Sequence, residues 1–199
     1  MIYNVLLTGV GGVGVLLTSI IIARAANFDN YTVRGIQFHG LAQRGGSIPI
    51  HIRFGKEVHS PTIPEGQADL ILGLELIEAL REIKYASKRR THFIINTHSI
   101  KPIYTHVLKQ SYPTKTMVKK ALIPFAKKII FVDAGKICRE KFGNSIYGNI
   151  MILGVAHKAG MLPLSKKALV ASLKQTLPRD LKQNIDAFEW GVKYLKRGI

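Results

Sequence analysis

At 199 residues, 47% of them hydrophobic, the chain can bury about 70% of its unfolded surface in one core, so a single domain spanning 1–199 is the default. Its one cysteine, Cys138, excludes an internal disulfide and any four-cysteine cluster or zinc site held by this chain alone. The net charge of +17 is uneven, with five Lys and Arg against six Asp and Glu in residues 1–80 but twenty-four against six in residues 81–199. That second part could attract an acidic protein, a polyphosphate or nucleic acid, or only solvate the surface.

The apolar run Ile2 to Leu7, the glycine turn Gly9-Val10-Gly11-Gly12-Val13-Gly14 and the uninterrupted Val15 to Ala26 predict a strand, a tight turn and a helix. The four glycines, with Thr8, Thr18 and Ser19, break the stretch Val5 to Ala23 and argue against a membrane span. Met1-Ile2-Tyr3-Asn4 has no basic leader, which points to the cytoplasm. Tyr31 to Phe38 and the alternating Ser47 to Phe54 predict two more strands, with the loop His39 to Gly46 between them. After Pro61 and Pro64, Ala68 to Gly73 predicts a buried strand and Leu74 to Tyr85 its helix, with Leu76, Ile77, Leu80 and Ile83 on one face.

Phe93 to Asn96 and Ile129 to Asp133 predict further strands, separated by a helix-like stretch, Thr116 to Lys127, that Pro124 interrupts. No strand signal follows Ala134. Asn149 to Gly160 and Lys166 to Leu177, the latter capped by Ser165, predict helices, as does the spacing of Leu181, Ile185, Phe188, Val192 and Leu195. That last seam either closes the core or meets a partner, and core packing is favoured because an α/β sheet needs both faces covered. The order predicts an α/β fold: a doubly wound, mostly parallel, Rossmann-like sheet with a helical C-terminal part.

Two segments could carry chemistry. Gly9, Gly11, Gly12 and Gly14 have the spacing of a phosphate-cradling turn, but the second strand offers Arg34, Gly35, Ile36 and Gln37 where a NAD site wants an acid. A packing turn is therefore favoured, with an NADP site through Arg34 as the alternative. The loop His39, Gly40, Leu41, Ala42, Gln43, Arg44, Gly45, Gly46 and Ser47 gathers imidazole, amide, guanidinium and hydroxyl groups at a strand end, where Arg44 could fork onto a carboxylate or phosphate. The other reading is a surface turn with a solvated arginine. No catalytic set is complete: there is no thiamine-binding Gly-Asp-Gly and Asn-Asn pair, no nucleophile elbow, no Walker loop and no cysteine cluster. The seven histidines have no ligand spacing, which predicts no metal site. The basic stretches lack interleaved aromatics, which argues against a nucleic-acid adaptor.

Gly9-Val10-Gly11-Gly12-Val13-Gly14-Val15-Leu16, His39 to Ser47, Ser60 to Gly66 running into Ala68 to Gly73, and Asn96-Thr97-His98 stand in an order that resembles the gamma-type domain of the 2-oxoacid:ferredoxin oxidoreductases. The likeness is greatest to the branch acting on aryl pyruvates such as indolepyruvate. The resemblance spans nearly the whole chain. It implies a subunit that is inactive alone and completes a complex whose larger alpha subunit holds thiamine diphosphate, magnesium and iron–sulfur clusters. That complex would convert the 2-oxoacid to an acyl-CoA, with coenzyme A as co-substrate and ferredoxin as acceptor. It implies no cofactor bound by this chain alone, and places the glycine turn and the His39–Ser47 loop at the active-site mouth, docking the alpha subunit. In isolation the chain could form a homodimer that covers the same surface. One departure is Val13, where the family usually has Gln.

Overall fold

The computed structural model describes residues 1–38, 45–99 and 112–195. Six strands form one sheet: β1 (Ile2–Val10), β2 (Thr32–Gln37), β3 (Ser47–Gly55), β4 (Leu70–Gly73), β5 (His92–Asn96) and β6 (Lys128–Val132), in the order β2-β3-β1-β4-β5-β6. β1, β4, β5 and β6 are mutually parallel, as expected of buried apolar runs. β3 runs antiparallel to both β1 and β2, with Val10 opposite Ser47 and Ile2 opposite Gly55. The sheet is thus mostly parallel with one reversed strand inserted beside β1.

Seven α-helices lie among the described residues: α1 (Val15–Phe28), α2 (Glu78–Arg81), α3 (Lys115–Leu122), α4 (Ala134–Phe142), α5 (Gly148–Lys158), α6 (Lys166–Thr176) and α7 (Leu181–Tyr194). None is long and apolar enough to cross a membrane. The helix expected over 74–85 is cut to one turn of α2 and a 3-10 turn, Ile83–Tyr85, because the Glu75 carboxylate turns inward and accepts from the amides of Ile77 (2.8 Å) and Glu78 (3.2 Å). The expected helix before β6 stops at Leu122 and tightens into a 3-10 turn through Pro124, which lacks the N–H that would continue it. α4 was not expected: its sequence opens on Ala134-Gly135 and has few apolar residues to show a period.

β1 divides two cores. Val5 and Leu7 face one side, with Ile22, Ile94, Met151, Leu153 and Phe188, under α1, α4, α5, α6 and α7. Leu6 faces the other, with Ile71, Phe93, Ile95, Val118 and Leu122, under α2 and α3 among the described residues. On the heavily covered face the backbones of α5 and α7 touch: a methyl group on Gly154 would lie 2.1 Å from the Phe188 carbonyl oxygen, and one on Gly191 2.0 Å from that of Met151. The last helix does close the core, yet its deepest residues are Asn184, Ala187, Phe188 and Gly191, so of the expected seam Phe188 alone is fully buried. Ser165 caps α6, accepting from Ala168 N at 3.1 Å.

Candidate functional site at the carboxyl edge of the sheet

The parallel strands end at Val10, Gly73, Asn96 and Val132, and their carboxyl edge brings together segments far apart in sequence. The glycine turn bends through left-handed backbone at Gly12 (φ 96°) and at Gly14 (φ 82°), the N-cap of α1, where no side chain caps the helix. The turn is stitched to the end of the second candidate loop: Gly11 N donates to Gly46 O at 2.8 Å, and Gly45 N to Gly11 O at 3.4 Å. Two segments singled out separately therefore form one surface. Of the second, Gly45, Gly46 and Ser47 are placed here, while His39, Gln43 and Arg44 lie outside the described residues.

That stitching bears on chemistry. Gly11 N and Val13 N, which donates to Val10 O at 3.3 Å, are already used within the chain, so the turn offers fewer free amides to a phosphate than its spacing implies. In a dinucleotide-binding sheet the second strand lies beside the first and presents the ribose-binding residue there. Here β3 intervenes between β1 and β2, and Arg34 pairs with Arg53 of β3. Both observations favour the packing role of the glycines. Val13 packs its side chain against the larger core, and its carbonyl accepts from Asn149 Nδ2 at 2.6 Å.

Asn149 stands between two clefts that share Gly12 and Val13. One, of about 310 Å³, runs between the turn and Tyr147, Leu177, Arg179 and Asn184. The other, of about 210 Å³, is bounded by Leu74, Asn96, His98 and Asn144. Asn96 Oδ1 accepts from His98 N at 3.3 Å, which fixes the Asn96-Thr97-His98 corner.

Beside them sits an acidic corner that sequence reasoning missed. Glu75 is fully buried and Glu78 nearly so. Ser47 Oγ donates to Glu78 Oε2, and Arg81 Nε lies 3.1 Å from Glu78 Oε1. Tyr112, the first described residue after position 111, donates its hydroxyl to Glu75 Oε1 at 2.6 Å. Burial raises the Glu78 carboxyl above its ordinary range, opposed by the Ser47 hydrogen bond and Arg81. This corner therefore ties Ser47, the first residue of β3, and Tyr112 to the two carboxylates that follow β4. Glu75 and Glu78 look in sequence like polar positions of an amphipathic helix; the nearby Gly73 is the one hint of a tight packing point, since a methyl group there would lie 2.7 Å from Ala79 Cβ.

Backbone turns, amides, an imidazole and buried acids thus gather at the strand ends, the edge where open α/β sheets take their ligands. The family described as pyruvate ferredoxin/flavodoxin oxidoreductase matches residues 4–194. The chain is 36% identical over 196 residues to "Indolepyruvate oxidoreductase subunit IorB" of Thermococcus kodakarensis, covering 98% of this chain and 96% of that one. It is 35% identical, with the same coverage, to the protein of that name from Pyrococcus horikoshii. The fold matches the gamma subunit of a keto/oxoacid ferredoxin oxidoreductase from Geobacter sulfurreducens, with a TM-score of 0.68, 19% identity, and 98% and 99% of the two chains covered. The family match over residues 4–194 and the near full-length identity establish that this chain belongs to the pyruvate ferredoxin/flavodoxin oxidoreductase family.

Proposed function

We propose that the chain is the cluster-free subunit of a 2-oxoacid:ferredoxin oxidoreductase acting on indolepyruvate or a related aryl pyruvate. The observation that carries this reading is the 36% identity, over nearly the full length of both chains, with a protein named as an indolepyruvate oxidoreductase subunit. The complex decarboxylates the 2-oxoacid, joins the acyl group to coenzyme A and passes the electrons released to ferredoxin. Thiamine diphosphate, magnesium and the clusters belong to a larger alpha subunit. This chain's donor set does not fit a cluster: Cys138 is its one cysteine and is buried, its sulfur 3.9 Å from that of Met151, with burial pushing the thiol up to about 12.

The carboxyl edge is this chain's contribution. Gly9, Gly11, Gly12 and Gly14 shape its floor, Gly45, Gly46 and Ser47 are stitched to it, and Glu75 and Glu78 fix its flank. In this reading the edge lies against the alpha subunit and shapes the approach of the 2-oxoacid or coenzyme A, with Arg44 as the group that meets an anion. The test is co-purification with the larger subunit, followed by indolepyruvate- and coenzyme A-dependent dye reduction with each chain alone and both together. Activity is expected only with both. Arg44→Ala is expected to lower turnover while the complex still assembles and the subunit still melts as the parent does. Full activity of the larger chain alone, or unchanged kinetics of the arginine variant, would count against the respective parts of the reading.

A further inference from the structure

Between Glu82 and Asp133 the sequence has no Asp or Glu, and it has eleven Lys and Arg. The fold concentrates part of this stretch on one surface. α3 turns Val118 and Leu122 into the core of the thinly covered face, and Ala126 follows them inward. The residues on its other side face outward, and three of them are large and apolar: Met117 is 58% exposed, Ile123 47% and Phe125 40%. Met117, Ala121 and Phe125 are spaced by four, which sets them along one side of α3 and its 3-10 continuation. Lys119, Lys120, Lys127 and Lys128 are exposed around them. Lys88 Nζ donates to Ile123 O at 3.0 Å, which brings the Lys88-Arg89 turn to the same patch. Arg90 is held by Asp69 at 2.6 Å and so is neutralised locally, but among the described residues no carboxylate is ion-paired with the lysines named here. β6, alongside, is the outermost strand of the sheet.

We infer that this face, the outer side of α3 with the Ile123–Phe125 turn, docks an acidic surface with an apolar centre on the larger subunit. The inference rests on the reading given under Proposed function and adds where, and by what chemistry, the partner is held. A small apolar centre ringed by like charges matches the core-and-rim anatomy of a protein interface. The ring has one sign, so the complement must be acidic, and it steers association as well as holding the complex. The patch is joined to the carboxyl edge through α3, since Tyr112, three residues before the helix, donates to Glu75 at that edge, while the Ile123–Phe125 turn and Lys127 lie at the strands' amino ends. Nucleic acid fits less well because Phe125 is the one exposed aromatic ring on the patch and offers no stacking series. A membrane fits less well because the eight residues of α3 already commit Val118 and Leu122 to the core.

The test measures the affinity of the full-length chain for the purified larger subunit across a salt series. The Lys119→Glu/Lys120→Glu variant should bind at least about tenfold more weakly and with a shallower salt dependence. Phe125→Ser should weaken binding by about tenfold, the loss expected of one interfacial anchor, with the salt slope unchanged. The milder Lys119→Ala/Lys120→Ala pair guards against a folding artefact, and Lys166→Glu/Lys167→Glu on α6 should behave as the parent. Parent-like binding and activity in the α3 variants would overturn the inference and leave the proposed function standing. A parent chain that neither binds nor activates the larger subunit would overturn both. Binding of duplex RNA or anionic vesicles that the α3 charge reversal abolishes, while the larger subunit is bound as before, would assign the face to another partner and overturn it too.

Discussion

Among the described residues, five helices cover one face of the sheet and two short ones the other. On the first, α5 and α7 approach until only hydrogen fits between backbones at Gly154 and Gly191, and Ser172 Oγ reaches Ile21 O at 2.8 Å to bind α6 to α1. On the second, α2 is a single turn, the core borrows polar groups such as His51, and Met117, Ile123 and Phe125 remain exposed. The two faces differ in how tightly their helices pack, while apolar side chains stay exposed on both, Leu16, Leu17 and Phe28 on α1 of the first and Met117, Ile123 and Phe125 on the second.

The contrast can be broken most directly on the tightly packed face. Gly191→Ala should cost about 3 kcal/mol or more, because neither backbone can retreat from the added methyl without separating α5 from α7. Urea unfolding of the isolated chain reads this, and near-parental stability would mean that the helix pair is looser than its contacts suggest. On the other face, stability should depend on pH through His51. It is buried, stacks edge-on against Phe38 and Tyr85, and its Nδ1 accepts from Ile63 N at 3.1 Å. Burial, aided by Lys84, lowers its pKa from 6.5 to about 4. The unfolded chain therefore takes up the proton first: this contribution is complete above about pH 6.5 and is lost as the pH falls toward 4, up to about 3 kcal/mol from this group. The urea midpoint should fall between neutral and mildly acidic buffer, and His51→Gln, which keeps an acceptor for Ile63, should flatten that fall.

Glu75→Ala tests the corner that joins the two regions. Removing a carboxylate that satisfies two amides and the Tyr112 hydroxyl should cost about 2 kcal/mol, seen as a lower melting temperature. Glu75→Gln should recover part of it, since the amide oxygen still accepts. The smallest effect belongs to the exposed apolar patch: Phe125→Ser should change the stability of the isolated chain by no more than about 0.5 kcal/mol. A large loss there would mean that the patch serves this chain's own core.

The sequence was most legible where burial is two-sided. β1, β4, β5 and β6 read as continuous apolar runs because helices cover both faces, and their bounds were recovered to within two residues except at the end of β1, which runs three residues past Leu7 to Val10. Strand direction left no such mark. The alternation of Ile48, Ile50, Ile52 and Phe54 showed a strand but not that it reverses beside β1, and that reversal carries Gly46 to Gly11. The over-long helix at 74–85 came from apolar spacing that a turn-and-helix corner satisfies equally well once Glu75 folds inward. Buried acids are the hardest feature to foresee, because their partners, Ser47 and Tyr112, lie 31 and 37 residues away. The glycine turn was read correctly as a strand-to-helix corner, and the structure adds that Gly45, Gly46 and Ser47 belong to the same surface.

The acid-free stretch has a consequence for self-recognition. An outermost strand is a template on which a second copy can add its own, and proteins that must stay apart guard such strands with lysine. β6 opens on exposed Lys128, preceded by exposed Lys127, with Lys119 and Lys120 on the helix beside it. Two copies adding strand to strand there would crowd several lysines of each into one interface, with Asp133 at the end of β6 the one nearby exposed carboxylate to offset them. The lysines that invite an unlike, acidic surface thus also discourage a second copy from extending the sheet at β6.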